Sequence, residues 1–128
     1  MTATAKNPYA KIEDNAVYTA TREELTLMLY EGALKFMNQA IDATEKADIQ
    51  KANDLIKRVE DIIREFQITL DFKYKIANEL NSLYDYMHRR LIEANMHKDI
   101  GIMEEMRDML REFRDTWKEA MNLAKQAV

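Results

Sequence analysis

The sequence predicts an all-α protein, folded as an antiparallel up-and-down four-helix bundle with an irregular N-terminal arm. Three observations carry that prediction. Gly32, Gly101 and Pro8 are the only glycines and proline in 128 residues, so tight hairpin turns have almost nothing to be built from. Apolar residues recur at helical spacing over four long segments. The junctions between those segments are short, which favours antiparallel neighbours over crossover connections. The length implies one domain over 1–128, with the arm over 1–20 and the bundle over 21–128.

Residues 1–20 hold the proline and scattered apolar side chains without sustained periodicity. Tyr9, Ile12, Val17 and Tyr18 are too apolar for a free tail, so the arm is expected to dock on the bundle. The first helix is expected over 22–46. Thr21 followed by Glu24, just ahead of an apolar run, is a capping box. The run is apolar on two sides: Leu25, Leu29, Ala33, Phe36 and Ala40 form one stripe, and Leu27, Tyr30, Leu34, Met37 and Ile41 a second. One stripe serves a bundle core; the other is expected to face a partner.

Asp48 is the expected N-cap of a second helix over 49–72, whose single stripe is Ala52, Leu55, Ile56, Val59, Ile62, Ile63, Phe66 and Leu70. The turn after it is placed at Asp71-Phe72-Lys73-Tyr74-Lys75, because one helix over 49–97 would be too long for a compact domain. The third helix, over 76–96, presents Ile76, Leu80, Leu83, Met87, Leu91 and Ala94, flanked by Tyr84 and Tyr86. Asp99 is the expected cap of the fourth, which carries Met103, Met106, Leu110, Phe113, Trp117, Ala120 and Ala124.

Composition excludes several functions. The formal charge of −4 argues against a nucleic-acid partner. With no cysteine there is no disulfide, thiolate metal site or cysteine nucleophile. No stretch approaches the ~20 apolar residues of a membrane span, so membrane insertion is not expected and the cytoplasm is the default location. A di-metal bundle needs two Glu-x-x-His pairs. Asp85-x-x-His88 is a single Asp-x-x-His, and His97 lacks the spacing to supply a second, so no metal and no cofactor are expected. Ser82 is the only serine, no phosphate-cradling glycine loop is present, and an enzyme is not expected. Nine methionines suit a groove that adapts to a long ligand, but a methionine stripe at helical spacing, as in Met103, Met106 and Met109, is more often plain core.

Two longer strings carry a resemblance. Asn15-Ala16-Val17-Tyr18-Thr19-Ala20-Thr21 with Glu24-Leu25-Thr26-Leu27-Met28-Leu29-Tyr30-Glu31-Gly32-Ala33-Leu34-Lys35-Phe36, and Leu83-Tyr84-Asp85-Tyr86-Met87-His88-Arg89-Arg90-Leu91-Ile92-Glu93-Ala94-Asn95, are similar to blocks of the FliS family of flagellin export chaperones. Phe113-Arg114-Asp115-Thr116-Trp117-Lys118-Glu119-Ala120 resembles a third block, and Asn7-Pro8-Tyr9 the family's start. One departure is Arg22, where the family often has proline, a residue favoured at the first helical position.

The resemblance implies a cytoplasmic bundle that binds the disordered C-terminal segment of flagellin, keeps it from polymerising and supports its delivery to the flagellar type III export apparatus. It implies that the segment lies in apolar grooves, and that the arm, through Tyr9, Ile12 and Val17, covers part of them when flagellin is absent. Export-gate proteins or other flagellar regulators are further partners on this reading. The candidate flagellin-binding residues are Tyr9, Ile12, Val17, Leu25, Leu29, Tyr30, Leu83, Tyr84, Met87 and Leu91. The competing reading is a self-associating bundle in which the second stripe of the first helix is a homodimer interface and there is no flagellin client.

Overall fold

A computed structural model describes residues 19–126; the arm residues Tyr9, Ile12 and Val17 lie outside it. Four helices follow in order, α1 (Arg22–Glu45), α2 (Ile49–Ile68), α3 (Ile76–His97) and α4 (Ile100–Gln126). Each packs on its sequence neighbours, and α4 closes the ring against α1. Residue pairings fix the directions. Tyr30 meets Phe66 and Phe36 meets Arg58, so α1 and α2 run opposite ways. Asn95 bonds Asn53 while Gln67 bonds Asp85, and Thr44 touches Met103 while Trp117 reaches Glu23. The fold is therefore the expected up-and-down bundle.

The capping box forms as read. Glu24 N–H donates to Thr21 Oγ1 and Thr21 N–H donates to Glu24 Oε1, each at 3.2 Å, so Arg22 in place of proline leaves the helix start intact.

Two helix ends are built alike. After α1, Ala47 adopts φ 59, its N–H bonds Thr44 O at 3.0 Å, and Asp48 N–H bonds Ala43 O at 2.8 Å, the paired bonds of a Schellman motif. Asp48 then accepts from Lys51 N–H and so starts α2. After α3, Lys98 adopts φ 50, Asp99 N–H bonds Ala94 O, and Asp99 Oδ1 accepts from Ile102 N–H to start α4. Each aspartate ends one helix and begins the next, which keeps both junctions short.

The connection over residues 69–75 at the opposite pole differs. α2 stops at Ile68, earlier than the expected 72, where the backbone leaves the helical pattern and Leu70 N–H turns back to Gln67 O. α3 begins at Ile76, and its N-cap residue Lys75 makes no side-chain cap bond.

Beyond the half-buried Leu25 and Leu27 at their start, both stripes of α1 are buried, which corrects the expectation that one faces a partner. Leu29, Ala33, Phe36 and Ala40 of the first are buried, as are Tyr30, Leu34, Met37 and Ile41 of the second. The reason is geometric: α1 has its most extensive packing with α2 and α4 together, so two apolar arcs serve two neighbours. The core continues through Ile56, Ile62, Ile63, Met87, Leu91, Met103, Met106 and Leu110.

The left-handed φ of Ala47 yields a first prediction. An L side chain is strained there while glycine is not, so Ala47→Gly raises stability by about 1 kcal/mol, read as a shift in denaturant midpoint at unchanged slope.

Candidate functional site

The loose pole, where α1 starts, α2 ends, α3 starts and α4 approaches its end, carries a cavity of about 430 Å³. Its walls are Tyr30 from α1, Phe66 and Leu70 from α2 and its exit, Ile76, Leu80 and Tyr84 from α3, and Phe113, Trp117 and Ala120 from α4, with Thr26, Thr69 and Thr116 among them. None of these is charged. A volume within the roughly 300–1,000 Å³ of ordinary ligand pockets accepts a few side chains.

Its floor is a cell of four rings. Tyr30 and Phe66 have centroids 4.4 Å apart, Phe66 and Tyr84 5.6 Å, Tyr84 and Phe113 5.8 Å, and Tyr30 and Phe113 6.1 Å. These spacings fall in the favourable range for aromatic pairs. The Tyr30 and Tyr84 hydroxyls meet at 2.9 Å. Burial, then the neighbouring Tyr84, pushes the Tyr30 hydroxyl far above its ordinary pKa, and burial likewise raises Tyr84, so both stay protonated at any working pH. Trp117 Nε1–H donates to Glu23 O at 3.0 Å and ties α4 to the first turn of α1.

The rim is more exposed than the sequence suggested. Ile76 in its wall is 59% exposed, and Ile68, Phe72 and Tyr74, from the end of α2 and the connection to α3, also face solvent. Phe72 and Tyr74 were read only as a place to turn. A turn bearing two aromatics and neither glycine nor proline was the available signal of an apolar surface.

The predicted site residues divide three ways. Tyr30 and Tyr84 line the cavity together. Leu83 is exposed and Leu25 half-buried, and neither belongs to its lining. Leu29, Met87 and Leu91, at 3%, 0% and 0% exposure, pack in the bundle interior outside the cavity lining, because their stripes face neighbouring helices.

A larger depression of about 540 Å³ between α1 and α2 is bordered by Lys35, Lys51 and Arg58 together with Asp48 and Asp54. Charges of both signs make it a solvated surface rather than an apolar receptor.

Asp85 and His88 do not converge on a metal position. Asp85 accepts from Gln67 at 2.7 Å, and no group of three potential ligands forms among the described residues. His88 Nε2 lies 3.2 Å from Arg64 and 3.9 Å from Glu60, contacts that ask for opposite protonation states. Burial, then the Arg64 charge, holds the ring below its ordinary pKa, so the neutral ring accepts from Arg64.

Fold and site together define a helical-bundle protein with an uncharged, aromatic-floored cavity at one pole. Comparison with known proteins gives the family. The model of flagellar protein FliS matches residues 5–124. The flagellar secretion chaperone FliS of Bacillus subtilis (strain 168) is 40% identical over 116 residues, covering 91% of this chain and 87% of its own. The chaperones of the same name from Salmonella typhimurium (33% identical, 92% and 90% covered) and Escherichia coli K12 (32% identical, 88% and 86% covered) are also similar. The chain belongs to the FliS family, a family of chaperones and not of enzymes.

Two predictions follow from the site. Tyr84→Ala removes a ring that is 3% exposed and costs about 3–5 kcal/mol in chemical denaturation. For His88 the unfolded chain takes up a proton near pH 6.5 that the folded chain resists, so stability falls as pH drops through that value toward the lower folded pKa. His88→Gln removes that part of the pH dependence, measured as thermal midpoint against pH from 7 to 5.

Proposed function

We propose that this chain is a cytosolic export chaperone that binds the disordered C-terminal segment of flagellin, holds it unpolymerised and supports its delivery to the flagellar type III export apparatus. The observation that carries the reading is the uncharged aromatic cavity at the loose pole, in a chain whose family relatives are named flagellar secretion chaperones. An apolar segment that would otherwise pack against its own kind buries its side chains on this pole instead, and assembly is blocked by occupancy.

Ordering a flexible segment costs on the order of 2–5 kcal/mol, so binding has to recover that by burying apolar surface. The cavity together with the exposed side chains of Ile68, Phe72, Tyr74 and Ile76 offers such surface. The arm and contacts with export-gate proteins or other flagellar regulators extend the same proposal.

Titration calorimetry with a peptide of the ~40 C-terminal residues of flagellin tests it, with a negative heat-capacity change expected. Ile76→Ala, at an exposed wall of the cavity, weakens binding and leaves the thermal midpoint nearly unchanged. Flat titrations at micromolar peptide, combined with a tight dimer in light scattering, would instead establish the self-associating bundle.

A further inference from the structure

Two tyrosine hydroxyls facing each other hold two protons and share one hydrogen bond. Whichever of Tyr30 and Tyr84 donates across the 2.9 Å contact, the other's proton is left over. Neither hydroxyl has a second hydrogen-bond partner among the described residues, though the side chains are 5% and 3% exposed. Each hydroxyl thus has one partner, the other, and the proton left over at the cavity wall is available to an acceptor that enters the cavity.

The other polar groups of the lining are committed or open to water. Thr26 donates to Arg22 O, Thr69 to Glu65 O and Phe66 O, and the Trp117 indole to Glu23 O. Thr116 is exposed. The leftover tyrosine proton is therefore the one buried, unspent donor in the lining.

We infer that the Tyr30–Tyr84 pair is a specificity element of the cavity, donating one hydrogen bond to a neutral carbonyl oxygen that the bound segment presents among its apolar side chains. The acceptor is an amide carbonyl, from the backbone or from Asn or Gln, and not a carboxylate, since the lining holds no cation to offset a buried negative charge. The occupant is the client segment of the proposed function, on which this inference rests. Its chemistry follows from complementarity: apolar side chains for the walls and one carbonyl for the donor. The raised pKa of both hydroxyls keeps the donor in place across the physiological range.

The test is the double variant Tyr30→Phe with Tyr84→Phe, titrated with the same flagellin C-terminal peptide and melted in parallel. Replacing both partners by apolar groups of the same shape is close to neutral for folding, so the midpoint stays or rises. Affinity falls about threefold to tenfold, the size of one neutral hydrogen bond. Wild-type affinity in the double variant overturns the inference and leaves the flagellin reading standing. Weaker binding with a markedly lower midpoint assigns the pair to the fold and overturns it as well. No binding by the unmodified chain overturns both.

Discussion

The bundle depends on α1 being apolar on two arcs at once. Tyr30, Leu34, Met37 and Ile41 lie on one and Leu29, Ala33, Phe36 and Ala40 on the other, and all are buried because α2 and α4 both pack on this helix. Each large aliphatic side chain so buried contributes about 1.5–3 kcal/mol of transfer free energy. Ala33, Ala40 and Ala52 are fully buried and small, which lets the backbones approach closely. With α1 enclosed on two sides, α3 completes the ring opposite it with a narrower buried stripe, Ala77, Tyr84, Met87, Leu91 and Ala94.

The same arrangement separates a tight pole from a loose one. At the tight pole both junctions use a left-handed residue followed by an aspartate that caps the next helix, so backbone groups are met locally. At the loose pole the 69–75 connection carries apolar side chains and α3 starts uncapped. Four aromatic rings close the core beneath that end without filling it. The cavity lies at the loose pole, where Thr26 and Tyr30 of α1, the uncapped start of α3 and the later turns of α4 supply its walls.

Polar contacts between helices act as registers on the outside of this core. Asn53 with Asn95, Gln67 with Asn81 and Asp85, and Tyr86 and Arg90 with Glu105 pin α2 to α3 and α3 to α4 at several heights. Glu105 is held below its ordinary pKa first by the Tyr86 hydroxyl, against the opposing effect of burial and with Arg90 adding to the lowering. These contacts, most of them half-buried, set how the helices slide relative to one another.

By itself the sequence determined what is local. Thr21 with Glu24, Asp48 and Asp99 marked helix starts because a cap is a contact between residues three apart, and the stripe of α2 was legible because one face of a helix repeats every few residues. The end of α2 was less so, since the chain turns at Leu70 with neither glycine nor proline to mark the place. Only the tertiary structure decided which apolar residues are core and which line a cavity. Leu29, Tyr30, Tyr84, Met87 and Leu91 look alike as apolar positions on their helices, yet Tyr30 and Tyr84 meet across 54 residues of chain at the cavity wall while the others close the interior. Periodicity tells which side of a helix is apolar; what that side meets is a property of pairs of helices distant in sequence, settled only when all four pack.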